Sequence, residues 1–265
     1  MLLAFDTSTS IASLALVAGT APATADDRRL IAELTWQVGQ RHSTELLERI
    51  EWLLATSRVT MADLTGVAVA LGPGSFNGVR VGLAMAKSLA FARGLPLVGV
   101  PTLDVIAWGH SAIGGTICAI LEAGRGQVYS ATYDATAPEA ARWAPVDGYA
   151  VVTAAELAAQ CESGAYFCGE MAPATRAALA STLGRRYRSA PVLEARRASW
   201  LAELALARIA QQRYDEPVAL EPLYLRRPAI TTSTRRGLPA PEGVAEVPQR
   251  EDAPGGEGSA DALRR

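Results

Sequence analysis

Asp6, Thr7 and Ser8, in the opening "LLAFDTSTS", are residue types that can hold a phosphate or a hydrated metal. A carboxylate at the end of a buried strand, followed by hydroxyls and backbone N–H groups in a turn, forms a concave polar surface for either ion. The same types are the usual turn formers, and satisfying the hairpin backbone accounts for them equally well. A second candidate is "LGPGSFNGVRVGLAMAKSLA", Leu71 to Ala90, with glycines at 72, 74, 78 and 82. A Walker A loop needs G-x-x-x-x-G-K-[ST], whereas Val79 and Arg80 follow Gly78 here, so that phosphate cradle is excluded. His42 and His110 are the only histidines, with no H-E-x-x-H and no pair three to five residues apart, which speaks against a histidine-based metal centre. Asp104, after "VGVP", could serve as the general base of a small-molecule kinase, or simply be the first-turn acid of a helix capped by Thr102.

The elements that must position these residues can be read from periodicity. Leu2 to Phe5 and Ile11 to Val17 read as strands around the Asp6 turn, and Arg29 to Val38 as a third. Leu46, Leu47, Ile50, Leu53 and Leu54 then recur at helical spacing after a Ser43/Thr44 start signal, with Glu45 suiting the helix dipole. Val67 to Leu71 is a buried strand, Ser75 to Ala90 a helix, and Pro96 to Val100 another strand.

The second half retells the first. Thr116 to Leu121 and Gln127 to Asp134 pair around Glu122-Ala123-Gly124-Arg125-Gly126, and a weaker extended segment runs from Arg142 to Val152 across Pro145. Thr153 and Glu156 form a capping box for a helix ending near Gly164. Tyr166 to Cys168 is a strand, Ala172 to Leu183 a helix closed by Gly184, and Trp200 to Gln212 a final helix. Two successive β-β-β-α-β-α units predict an α/β protein of two similar lobes, residues 1–100 and 101–228, facing each other across a cleft. A nucleotide could sit in that cleft, between Asp6 and Glu122. Residues 229–265 turn to Gly, Pro, Ala and charge with almost no large apolar side chain, and are expected to be disordered.

Composition narrows the class. A formal net charge of −2 leaves no electrostatic footprint for gripping a nucleic-acid backbone alone. No apolar run reaches membrane-spanning length, and only five apolar residues precede Asp6, too few for a signal-peptide core. Cys118, Cys161 and Cys168 lack C-x-x-C spacing and read as core thiols. The expected location is therefore the cytoplasm, with no membrane association.

Gly74, Gly78, Gly82, Ala86 and Ala90 are spaced by four, a stripe along one helix face with almost no side chain. Each interior glycine costs on the order of 1 kcal/mol relative to alanine, so close packing must compensate. Either the protein's own sheet or a partner helix could supply it.

The segments "LLAFDTSTS", "RHSTELLERIEWLL", "GVAVALGPGSFNGVRVGLAMAKSLAFARGLPLVGVPTL" and "LEAGRGQVYSATYD" together resemble the TsaB (YeaZ) family, from the N-terminus to about Arg227. That family supplies the accessory subunit of the bacterial machinery that makes N6-threonylcarbamoyladenosine in tRNA. The resemblance implies the two-lobed actin/Hsp70/sugar-kinase-like (ASKHA, ribonuclease H-like) fold. It also implies a non-catalytic role. A TsaD-like subunit transfers the threonylcarbamoyl group to the adenosine 3′ of the anticodon, a TsaE-like ATPase is the third component, and tRNA is met only through the complex. No cofactor is required, with ATP or ADP expected only at or near the partner interface. TsaD-like chains carry a histidine pair on a helix, and this sequence does not.

By the same resemblance, the helices of Ser43 to Leu54 and Ser75 to Ala90 form one half of a helical bundle used for the TsaD-like partner and for a competing homodimer. The implied contact residues are His42, Leu46, Leu47, Ile50 and Leu54 on the first helix, with Gly74, Phe76, Gly78, Arg80, Gly82 and Ala86 on the second. Gly82→Leu is then expected to leave the fold intact and weaken docking. Asn77 replaces a usual threonine, and Glu122, Gly124 and Gln127 replace the Asp, Arg and Glu of the family's second turn.

Overall fold

The computed structural model describes residues 1–19, 28–38, 42–190 and 195–226. These belong to a compact unit, Met1–Pro228, and the expected disordered tail lies outside the described residues. The first five-stranded sheet holds β1 (Leu2–Asp6), β2 (Ile11–Ala18), β3 (Arg29–Gln37), β4 (Gly66–Ala70) and β5 (Leu97–Val100) in the order β3-β2-β1-β4-β5. β1 pairs antiparallel with β2 and parallel with β4, with Leu3 opposite Leu16 and Val67. The second sheet holds β6 (Thr116–Gly124), β7 (Gln127–Asp134), β8 (Ala150–Thr153), β9 (Ala165–Glu170) and β10 (Tyr187–Arg188) in the order β10-β9-β6-β7-β8. Its pairings repeat those of the first: β6 is antiparallel to β7 and parallel to β9, as β1 is to β2 and β4. The predicted duplication is therefore present strand for strand.

Strand alternation assigns the helices to faces. In the first sheet Leu3, Phe5, Val67 and Val69 point to one side and meet Leu46, Ile50 and Leu53 of α1 (His42–Thr56), with Leu83 and Ala86 of α2 (Phe76–Arg93). Leu2, Ala4 and Ala68 point to the other, against Leu201, Ala205 and Ile209 of α6 (Ala198–Ala210). In the second sheet, α3 (Thr102–Trp108) covers one face through Leu103 and Ile106. The other face carries α4 (Ala154–Gln160) and α5 (Pro173–Leu183). Because both faces are covered, every residue of β1 and β4 is buried, and each large apolar side chain so placed contributes about 1.5–3 kcal/mol. α3 and α6 also pack on each other, which joins the two sheets.

Local signals mostly hold. Ser75 caps α2, accepting from the Gly78 amide, and the Thr153/Glu156 capping box starts α4. Three details differ. Only Ala150–Thr153 of the extended 142–152 segment pairs as strand, and Ala140–Arg142 is a 3-10 turn, because Trp143 is drawn inward to donate to the Asp104 carbonyl at 3.1 Å. α4 stops at Gln160, short of Gly164. Thr102 is not the cap of α3: its amide donates to the Gly72 carbonyl at 2.7 Å, Pro101 holds the cap position, and Thr102 is buried within the helix.

Candidate functional site: a closed turn and an open helix face

The Asp6 turn does not open on solvent. Asp6, Thr7 and Ser8 are 0%, 4% and 0% exposed. Asp6 Oδ1 accepts from the Ser8 amide at 2.8 Å and the Ser8 hydroxyl at 2.6 Å, and Oδ2 accepts from Arg196 Nη1 at 3.1 Å. The Arg196 side chain, 1% exposed, is ion-paired with this carboxylate. It also donates to the Ser8 hydroxyl (2.6 Å), Thr9 Oγ1 (2.7 Å), the Ile11 carbonyl (2.5 Å) and Glu170 Oε1 (3.1 Å). One guanidinium therefore satisfies the first turn and ties it to β9 of the second sheet. The side-chain polar atoms of Asp6, Thr7 and Ser8 are thus engaged in bonds within the fold.

The glycine stripe is the socket for that turn. A Cβ at Gly74 would stand 2.0 Å from the Ser8 carbonyl oxygen, one at Gly78 2.1 Å from the Thr7 carbonyl oxygen, and one at Gly82 2.4 Å from Thr7 Oγ1. Thr7 Oγ1 donates to the Gly78 carbonyl at 2.7 Å, and the Ser75 amide to the Ser8 carbonyl at 2.6 Å. The conformational cost of three glycines is thus offset by intramolecular packing.

Beside the closed turn lies a cleft of ≈ 440 Å³ reached by Thr9, Ser75, Glu122, Tyr129 and Glu170. Two carboxylates line it. Glu122 is itself occupied, its Oε1 accepting from the Ala172 amide and the Thr175 hydroxyl, both at 2.8 Å, at the start of α5. Carboxylates facing a polyphosphate repel it.

The family model described as tRNA N6-adenosine threonylcarbamoyltransferase, TsaD, matches residues 36–230. The chain is 33% identical over 132 residues to the Bacillus subtilis protein named tRNA threonylcarbamoyladenosine biosynthesis protein TsaB, covering 50% of this chain and 54% of that one, so it spans about half of that relative's length. An uncharacterized Mycobacterium tuberculosis protein is 35% identical over 188 residues, covering 71% of this chain and 76% of the relative. The solved structure of YeaZ from Pseudomonas aeruginosa superposes with a TM-score of 0.67 at 23% identity, covering 84% of this chain and 99% of that one.

The chain belongs to the TsaB family. Its fold is the ASKHA, ribonuclease H-like one, with the duplicated unit described above.

The contact residues implied for a TsaB-family docking face divide sharply. Leu46, Ile50, Leu54, Gly78, Gly82 and Ala86 are buried in the chain's own core, while Gly74 is half-buried against Ser8 and lines the cleft. Phe76 and Arg80 are held by the C-terminal segment: Arg80 Nε donates to Tyr224 Oη at 2.9 Å, the guanidinium stacks on Phe76 at 3.8 Å, and Phe76 packs on Tyr224 at 5.4 Å. The same segment bonds the Leu223 amide to the Leu71 carbonyl at 2.8 Å, and Arg226 reaches Gln127 and the Ala123 carbonyl. The His42 side chain lies outside what is described. Of the implied set, Leu47 is exposed at 42%, and Arg80 is exposed beside Tyr224.

The outer face carries other apolar groups that sequence reasoning passed over. Trp52 of α1 is 57% exposed and Phe91 of α2 is 83% exposed, and α1 packs alongside α2. Glu48 and Glu51 are exposed beside Trp52. A helix period places 48, 51, 52 and 55 outward once Leu46, Ile50, Leu53 and Leu54 face the sheet, and that was the signal available for Trp52.

Asp104 is 7% exposed and belongs to neither surface. Its Oδ1 accepts from the Tyr133 hydroxyl at 2.6 Å and the Tyr149 hydroxyl at 2.8 Å. Burial pushes its carboxyl up to about 6, against the lowering effect of the two tyrosines and the Arg208 charge. The cavity it lines and the cleft beside the Asp6 turn have no lining residue in common. Among the described residues no group of three or more His, Cys, Asp or Glu could hold a metal, and no helix is long and apolar enough to cross a membrane.

Proposed function

We propose that this chain is a non-catalytic accessory subunit in the biosynthesis of threonylcarbamoyladenosine in tRNA, and that it binds and activates a TsaD-type catalytic subunit. Arg196 carries this reading: with Asp6 and Ser8 committed to a buried guanidinium, the turn that could have held a phosphate has no free group for chemistry. Family membership supplies the pathway, since relatives bear the name tRNA threonylcarbamoyladenosine biosynthesis protein TsaB.

Residues 1–100 and 101–228 are read as two lobes pinned to each other by Arg196, which reaches Asp6 and Ser8, and by Thr9, which reaches Glu170, an arrangement suited to a rigid scaffold rather than to a cleft that closes around substrate. The docking face is the outer surface of α1 and α2, centred on Leu47, Trp52 and Phe91, where large exposed apolar side chains are otherwise unaccounted for. A homodimer would compete for that face. A TsaE-type ATPase is the third component, tRNA is reached only through the complex, and the setting is the cytoplasm. The role requires no cofactor, and a nucleotide would be met at the partner interface rather than at Asp6. A partner surface that binds only the active arrangement of the catalytic subunit stabilises that arrangement through differential affinity.

The test is reconstitution. Threonylcarbamoyl transfer to tRNA should be absent with this chain alone and should rise when it is added to the TsaD-type subunit and the ATPase. Turnover of ATP by the isolated chain, with transfer to any small acceptor, would overturn the reading.

A further inference from the structure

On another part of the molecule, a cavity of ≈ 280 Å³ opens where β5 passes into α3. Asp104 lines it, and opposite charge is supplied by Arg208 and Arg213, also in its lining. Three features separate it from an ordinary surface dimple. The first is that Asp104 is nine-tenths buried yet half-satisfied: both tyrosine hydroxyls go to Oδ1, and Oδ2 has no hydrogen-bond partner among the described residues. Asp104 lines the cavity, so Oδ2 is the carboxylate oxygen left to accept a hydrogen bond from a ligand there. The second is that the carboxylate is held rigidly. Tyr133 stacks on Trp143 at 5.2 Å, and Trp143 donates to the Asp104 carbonyl, so the wall and the acid move together.

The third feature is the division of labour between the arginines. Arg208 is anchored, donating to the Gly99 carbonyl at 2.7 Å and to Asp215 at 2.9 Å. Its charge helps to keep Asp104 ionised. Arg213 is exposed at the rim, and its one side-chain bond among the described residues is a long 3.3 Å contact to Gln211. Its guanidinium is available to an anion in the geometry that suits a carboxylate. Between the two poles the lining is apolar, from Val100, Ala140 and Leu204.

We propose that this cavity binds a small α-amino acid with an uncharged aliphatic side chain, its ammonium on Asp104 Oδ2, its carboxylate on Arg213 and its side chain against the apolar wall. An acceptor held by two tyrosines and a guanidinium at the rim of the same small cavity select a zwitterion over a simple anion or amine, because each half-ligand leaves one pole unpaired. The volume lies just under the about 300–1,000 Å³ of sites for drug-sized ligands, which suits a small metabolite rather than a nucleotide. The site is independent of the docking face and of the threonylcarbamoyl reading.

The experiment is a ligand-observed NMR titration of the full chain with L-valine and its two half-ligands, isovalerate and isobutylamine. Valine should bind, each half-ligand should bind at least about tenfold more weakly, a difference of about 1.4 kcal/mol, and Arg213→Ala should weaken valine binding by a similar factor. Asp104→Asn should abolish it. If that variant fails to fold, Arg213→Ala carries the test, since its rim position leaves the core untouched. No valine binding to the wild type, equal binding of either half-ligand, or unchanged binding in Arg213→Ala would each overturn the proposal.

Discussion

Replacing Arg196 tests the claim that the Asp6 turn is structural. The guanidinium makes five hydrogen bonds, to Asp6, Ser8, Thr9, Ile11 and Glu170, and both it and Asp6 are about 1% exposed. In Arg196→Met the side-chain volume is roughly kept, while Asp6 loses its cationic partner among the described residues and the Ile11 carbonyl loses a donor. Removing one member of a buried ion pair costs about 3–5 kcal/mol. For a unit of this size that is a large share of the typical total of about 5–15 kcal/mol. Urea unfolding followed by tryptophan fluorescence should therefore show a midpoint lowered by a molar or more, at an m-value of about 1–3 kcal/mol/M. The double variant Asp6→Asn/Arg196→Met should recover part of the loss, because it removes the uncompensated charge. A loss below about 1 kcal/mol in the single variant, or no recovery in the double, would refute the picture of a turn closed from within.

Other expectations follow from the same geometry. Gly78→Ala should destabilise the chain by at least about 1–3 kcal/mol, the usual cost of overpacking, since its Cβ would stand 2.1 Å from a backbone oxygen that cannot rotate away; calorimetric melting reads this directly. Gly82→Leu should fail to fold or fold poorly, which reverses the expectation that it is a clean docking variant, and yield and melting decide the matter. Burial raises the Asp104 carboxyl from 3.8 to about 6, so the folded state holds that proton more tightly than the unfolded chain. The contribution is present below pH 4 and is lost as pH rises through 6, by up to about 3 kcal/mol at about 1.4 kcal/mol per pH unit. Stability of Asp104→Asn, profiled between pH 4 and 7 beside the wild type, should lack that decline. Tyr224→Phe should cost about 0.5–1.5 kcal/mol through the lost bond to Arg80, readable in the same melts.

Much of the fold was legible because short-range signals agree with the tertiary result. The apolar run Leu2 to Phe5, the helical spacing of Leu46, Ile50 and Leu53, and the Thr153/Glu156 box each depend on neighbours within a few residues, and all three elements formed. The site was harder for a stated reason. A stripe of small residues says that something comes close, but not what; here it is the Thr7–Ser8 backbone, some seventy residues earlier in the chain. Arg196 had no signal at all, since "EARRAS" gives no spacing that points to Asp6, 190 residues away. The family resemblance implies Leu46, Ile50 and Leu54 as contact residues, but an apolar face reads alike whether it meets its own sheet or another protein. The residues left over on the outward face, Trp52 above all, are the ones that distinguish the two.

The most direct measurement of the central claim is light scattering coupled to size exclusion for this chain mixed with the TsaD-type subunit, comparing the wild type with Trp52→Asp and Leu47→Asp. Both side chains are exposed, so the variants should melt within a few degrees of the wild type, while the stable heterodimer seen with the wild type should be lost or strongly weakened. A wild-type chain that forms no complex, or well-folded variants that bind as the wild type does, would contradict docking through the outer face of α1 and α2.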